Sequence, residues 1–388
     1  MKIADFISDT VKKVPPSGIR KYFDMINEMK DVISLGIGEP DFVTPSTIRE
    51  AGILSLEQGH THYSSNAGSV ELREEISKYV KSKYMLDYCA DNQIIVTVGA
   101  SEGIDIALRA IVGPGDEVII PEPSFVAYKG CTVFTGATPV VINLKVENQF
   151  RLTAKQLLEA ITEKTKVVVI PYPNNPTGAI LNEKDLMEIV EVLKDRNLIV
   201  ISDEVYAELT YEGEHISIAT FPGMKDKTLV INGFSKAFAM TGWRIGYACG
   251  HPDLIDAMKK IHQYALMCPP TTAQYAAVEA LRNCDDEVKL MTKEYNRRRR
   301  AMVDGFRVIG LDCFEPLGAF YVFPCIKSLA MSSDEFCEKL LLEEKVLVVP
   351  GTAFGECGEG YFRATYANSI ENIYEAINRI QKFVKKYR

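Results

Sequence analysis

The chain has little of what marks several functional classes. Its 388 residues include only five histidines and one tryptophan. The histidines are dispersed. His60 and His62 offer two ligands but read more simply as a polar turn before Tyr63, so no metal is expected. Nine cysteines, an odd number without a Cys-x-x-Cys pair, build no zinc site and fit a reducing compartment, most of them reading as small core fillers. Excess positive charge is missing: 44 Lys and Arg against 52 Asp and Glu leave a net charge of -8, which disfavours nucleic acid as a partner. The one basic block, Arg297 to Arg300, has Glu294 and Asp304 on either side and reads as a solvated helix face. No sustained apolar run opens the chain. Met1 to Val14 carries Asp5, Asp9 and several lysines, so neither signal peptide nor membrane anchor is expected, and the protein reads as cytoplasmic.

What is present points to a soluble α/β protein. The length exceeds one ordinary core and suggests two domains. Apolar strand-like runs alternate with helical stretches at Gln93–Val98, Glu117–Pro121, Pro139–Leu144, Lys166–Ile170, Leu198–Ile201, Thr228–Asn232 and Ile245–Cys249. Such alternation predicts a mostly parallel sheet covered by helices, with ligands outside the carboxyl ends of the strands. After Pro269-Pro270 the pattern turns helical through Ala273–Asn283 and Asp285–Ile309, with strands near Ala319–Phe323 and Val346–Val349, which reads as a smaller α+β domain.

The motifs fall where that sheet would bind a ligand. Lys236 is followed eight places later by Arg244, a pairing that suits an aldehyde cofactor with a phosphate, Lys for the Schiff base and Arg for the anion. Upstream stand Asn-Pro-Thr-Gly at Asn175 to Gly178 and Ser202-Asp-Glu-Val-Tyr206 after the run Leu198 to Ile201. Val98-Gly-Ala-Ser-Glu-Gly103 is a Gly-rich turn opening a helix, which suits an anion, though a plain Ser N-cap has the same pattern. Gly36-x-Gly38 lacks the third glycine of a dinucleotide fingerprint.

Together these motifs resemble the class I aminotransferases of the pyridoxal-phosphate fold type I superfamily. The likeness runs from Ile33-Ser-Leu-Gly-Ile-Gly-Glu-Pro-Asp-Phe42 to Tyr361-Phe-Arg-Ala-Thr-Tyr-Ala367. It implies a large domain at 46–275, a small domain at 276–388 and an N-terminal segment, 1–45, beside the small domain. It implies pyridoxal 5'-phosphate held through its phosphate by Ala100, Ser101, Ser235 and Arg244, with Phe125 stacked on the ring. Asp203 would meet the ring nitrogen, and Asn175 and Tyr206 the phenolic oxygen. Lys236 would hold the cofactor and shuttle the substrate proton. Arg363 and the Gly38 backbone would grip the α-carboxylate, and Tyr63 would cross to a second subunit's phosphate, making a homodimer.

The longest stretches, including His262-Gln-Tyr-Ala-Leu-Met-Cys268, look most like the aromatic amino acid, N-acetyl-diaminopimelate and aspartate aminotransferases of one branch. The implied reaction is ping-pong transfer from an L-amino acid to a 2-oxo acid. No second Arg for a side-chain carboxylate is identifiable, and Tyr22, Phe23, Tyr264 and Phe354 are candidates for an aromatic pocket or for core. A carbon–sulfur β-lyase on the same fold would use the same residues. A regulatory protein with an aminotransferase-like domain would carry an added N-terminal DNA-binding module, whereas the motifs here begin near Ile33.

Overall fold

The computed structural model describes residues 2–16, 18 and 29–388. After a short strand β1 (Ile33–Ser34), seven strands form one sheet: β2 (Ile94–Thr97), β3 (Glu117–Glu122), β4 (Thr138–Asn143), β5 (Thr165–Pro171), β6 (Ile199–Asp203), β7 (Thr228–Gly233) and β8 (Gly246–Cys249). Each overlaps one of the apolar runs in the sequence. Their spatial order is β2-β8-β7-β6-β5-β3-β4, and all are parallel except β8, which runs against both neighbours.

The strands lack polar alternation because both sheet faces are covered. Successive residues of β5 serve two cores. Val167 and Val169 meet Ile104, Ala107 and Leu108 of the helix Gly99–Ile111 on one face. Val168 and Ile170 meet Leu186, Ile189 and Leu193 of the helix Glu183–Leu193 on the other. The period of two along the strand thus becomes a layer of helix on each side.

The C-terminal part contains β9 (Tyr321–Val322), β10 (Val346–Leu347), β11 (Val349–Pro350) and β12 (Phe362–Thr365). Strands β11, β12 and β9 form a small antiparallel sheet, and β10 pairs in parallel with β1. Ile33 and Ser34 are therefore stitched to the C-terminal part, whereas the helix Asp9–Lys13 touches Ala127–Phe134 of the large part. The division expected at 275 falls inside the helix Thr271–Asn283, whose Ala273, Ala276 and Ala277 share a core with Ile48 and Leu72.

Two surface readings need correction. In the helix Asp285–Ile309 the basic block is only half solvated: Arg298 and Arg299 are buried. Arg298 pairs with Asp41 and Glu294, and Arg299 with Glu315, because the helical period turns 298 and 299 inward beside Tyr295 and Met302. Among the cysteines, Cys249, Cys284 and Cys337 are buried core residues, Cys89 is exposed, and the others are partly covered. No described helix is long and apolar enough to cross a membrane.

Candidate active site

The reversed strand β8 explains how Lys236 and Arg244 come together. Parallel strands deliver their carboxyl ends to one edge of the sheet, and β8 delivers its amino end there instead. Gly246 pairs with both Thr97 at the end of β2 and Gly233 at the end of β7. Arg244, two residues before Gly246, and Lys236, three after Gly233, therefore flank the same edge. Gly246 is there because the chains touch: a Cβ would stand 2.7 Å from the Ala100 nitrogen. Gly99 has φ +74°, and a Cβ on it would run into the Arg244 guanidinium.

At this edge lies a cavity of about 360 Å³, which the small part closes with Tyr321 and Arg363. Of the residues expected in the site, Gly38, Ala100, Ser101, Phe125, Asn175, Asp203, Tyr206, Ser235, Lys236, Arg244 and Arg363 line it.

One end is built for an anion. Ala100 and Ser101 sit in the first turn of the helix Gly99–Ile111, where backbone N–H groups lack intrahelical acceptors. Arg244 stands at the same end, its guanidinium against Gly99, and Ser235 also lines the cavity. Arg244 donates to the Thr241 carbonyl at 2.9 Å, and among the described residues it has no carboxylate partner within salt-bridge distance.

Deeper in, Asp203 ends β6 almost out of water. It accepts from the Tyr128 hydroxyl at 2.6 Å and the Val205 N–H at 3.2 Å. Burial raises its carboxyl to about 6, and those two hydrogen bonds hold it from rising further. Phe125 meets Tyr128 edge to face with ring centroids 5.9 Å apart. Tyr128 was missed in the sequence reading. Its spacing of three from Phe125, across the start of a helix, was the available signal.

Lys236 is only part-buried as a residue, but its ammonium faces protein. It donates to the Gly38 carbonyl at 2.6 Å. Burial, then the neighbouring Arg363 charge, lowers it to about 8, against the opposing pull of Glu39. The Tyr206 hydroxyl bonds that of Tyr321 at 2.8 Å, and burial drives the Tyr206 phenol well above its ordinary range. Arg363 is 2% exposed. It donates to Asn175 Oδ1 at 2.9 Å and to the Gly36 carbonyl at 2.6 Å, and its Nε is buried without an acceptor among the described residues. Tyr321, the second residue missed, lies in the strand-like run Ala319–Phe323 with nothing in the sequence to tell it from core.

Other expected residues lie elsewhere. Tyr63 is 81% exposed and outside the cavity of its own chain. Tyr264 is also a surface residue, and Phe354 is buried against Arg363 rather than lining the cavity. Tyr22 and Phe23 lie outside the described residues. His60 stacks on Tyr275. Among the described residues no group of three or more His, Cys, Asp or Glu is arranged to hold a metal.

Comparison with known proteins identifies the family. Residues 30–380 match the family described as aminotransferase class I and II. YugH of Bacillus subtilis, provisionally named an aminotransferase, is 54% identical over 99% of this chain and 100% of its own. The aspartate aminotransferase of Pyrococcus abyssi is 45% identical over 98% of each chain. The solved structure of an aromatic aminotransferase from Pyrococcus horikoshii superposes with a TM-score of 0.90 at 42% identity, covering 95% of this chain and 99% of that one. Matched along nearly its whole length, the chain belongs to the class I and II aminotransferases.

Proposed function

We propose that this aminotransferase works with pyridoxal 5'-phosphate and moves the amino group of an L-amino acid with an aromatic side chain to a 2-oxo acid. The observation that carries the amino-acid reading is Arg363, a buried guanidinium with no acidic partner among the described residues, an Nε donor without an acceptor, and a charge felt by Lys236. A buried cation of this kind calls for an anion from outside, and a planar carboxylate fits a guanidinium.

The residues present fit the cofactor. The helix end with Ala100 and Ser101, together with Ser235 and Arg244, suits a phosphate. Asp203 suits a protonated ring nitrogen, and Phe125 suits a ring face. When bound, the cofactor supplies an aldehyde for amines and a cationic ring that accepts electrons from the substrate Cα. Asp203 would hold the proton on the ring nitrogen. Asn175 has its oxygen engaged by Arg363, so its NH₂ is free for the ring's phenolic oxygen, as is the Tyr206 hydroxyl once it turns from Tyr321. Arg363 holds the carboxylate and so orients the Cα–H bond. The Lys236 amine, with its proton affinity lowered, would take the proton from Cα and deliver it to the cofactor's aldehyde carbon.

An uncharged side chain is favoured because the lining has no further arginine among the described residues, and Glu39 at the rim would repel a second carboxylate. Ile37 and the rings of Tyr206 and Tyr321 offer apolar surface. The relatives include proteins named as aspartate and as aromatic aminotransferases. Tyr63, exposed as it is, supports a homodimer in which it completes the partner's phosphate site. Nine free thiols support a cytoplasmic setting.

The test is the cofactor absorbance of the purified protein on adding single L-amino acids without a 2-oxo acid. Conversion to the amine form with one equivalent of 2-oxo acid per site is expected, fastest with phenylalanine or tyrosine. Aspartate far outrunning both would overturn the aromatic reading. Steady release of ammonia and pyruvate from cystathionine would mark a lyase.

A further inference from the structure

Among the described residues Arg363 has only neutral polar partners, Asn175 and the Gly36 carbonyl, and removing a guanidinium from water without a counter-charge is costly. Two aromatic rings stand where a carboxylate would be expected. The guanidinium carbon is 4.4 Å from the centroid of Tyr321 and 4.7 Å from that of Phe354. Both distances are within the range at which a ring face attracts a cation, most strongly in a dry site.

We propose that Tyr321 and Phe354 are positioning residues for the substrate α-carboxylate. They keep Arg363 charged, fixed and free of any internal anion, so an incoming carboxylate meets a cation already aimed. This rests on the reading of Arg363 as the carboxylate site. An acidic residue in place of either ring would also relieve the buried charge, but it would compete with the substrate. The rings relieve it while leaving the positive charge available.

The fold sets the rings from two directions. In the register of β9 and β12, Tyr321 lies opposite Thr365, two places along from Arg363, so both side chains leave the same face. The Tyr321 hydroxyl lies 2.8 Å from that of Tyr206, and the ring packs edge to face on Phe320, centroids 4.8 Å apart. Phe354 comes from the turn Gly351–Phe354 after β11, and its carbonyl accepts the Ser124 N–H at 3.0 Å, beside Phe125 in the large part.

The experiment compares, in the holoenzyme, the rate of cofactor absorbance change with the best L-amino acid donor and with its decarboxylated amine. The ratio reads discrimination in favour of the carboxylate, and a general loss of structure or cofactor would move both rates together. Phe354→Leu and Tyr321→Leu should each lower that ratio by roughly five- to thirtyfold, through KM more than kcat, while Tyr321→Phe, which keeps the ring, should retain it. Melting temperatures check folding, and Phe354→Met, which keeps bulk without a π face, carries the comparison if the leucine variants do not fold. An unchanged ratio in the ring-deleted variants, with Arg363→Ala abolishing discrimination, would overturn the role of the rings alone. An unchanged ratio in Arg363→Ala would overturn the carboxylate reading, and the rings' role with it.

Discussion

Tyr128 donates its hydroxyl proton to Asp203 across 2.6 Å, joining the helix Ala127–Phe134 to the end of β6 beneath the cavity. Asp203 is an acid that the folded chain holds at a disadvantage: burial raises it to about 6, and Tyr128 is the strongest influence keeping it from rising further. A carboxyl raised on folding favours the folded state below its unfolded pKa, and that contribution is lost as the pH climbs through the folded value. In the cofactor-free protein, Asp203→Asn should therefore match the parent near pH 4 and exceed it in stability at pH 7.5, by up to about 3 kcal/mol. Denaturant melts of both proteins across that range decide it. The same substitution should cost turnover about 10²–10³-fold. A parent as stable as the variant at pH 7.5 would mean that Asp203 is not strained.

Lys236 carries the opposite strain. Its amine is lowered to about 8 by burial and by Arg363, so its stability contribution is present at high pH and disappears as the pH falls through that value. In the cofactor-free protein, Lys236 should acylate with a midpoint near 8, well below that of exposed lysines, as followed by mass spectrometry over a pH series. Lys236→Ala should fold and show no turnover. Ordinary turnover in that variant would remove the residue from the chemistry.

Arg363→Ala takes away a buried partner for the substrate carboxylate. The expected loss in kcat/KM is about 2–5 kcal/mol, with KM raised. Steady-state kinetics with one donor and one 2-oxo acid measure it. A loss near zero would place the carboxylate elsewhere.

Gly99→Ala joins two faults, a side chain at φ +74° and a collision with Arg244. Backbone strain of this kind costs about 1–3 kcal/mol, and the displaced guanidinium should loosen the cofactor. Equilibrium dialysis of pyridoxal 5'-phosphate should show a Kd weaker by tenfold or more, on the order of 1.4 kcal/mol. Wild-type affinity would show that Arg244 has no part in the phosphate site.

Much of this was legible in the sequence for a physical reason. Strands buried on both faces must be continuously apolar, so β3, β5, β6 and β7 stand out as runs. A ligand at the carboxyl edge must be met by the residues that follow them, which pointed to Asp203 and Lys236, whereas the role of Asn175 came from the resemblance to the aminotransferases. Tyr128 and Tyr321 could not be named. Their roles depend on partners 75 and 115 residues away in the chain, Asp203 and Tyr206, and neither residue type nor spacing encodes such a meeting. The buried pair Arg298 and Arg299 was hidden similarly. A charge run reports solvation only until a helix turns two of its members toward Asp41 and Glu315.

The reversal of β8 makes the stretch from Lys236 to Arg244 a ruler. Both ends of this short connection are pinned, one by the end of β7 and the other by the start of β8, so its contour length sets the spacing between the reactive amine and the guanidinium. Evolution can remodel the rim through Ile37, Glu39 or the loops of the small part without touching that gauge. Adding or removing a single residue between 237 and 243 would shift one mark against the other while leaving the sheet intact. Length variation should therefore be tolerated around this connection and not within it.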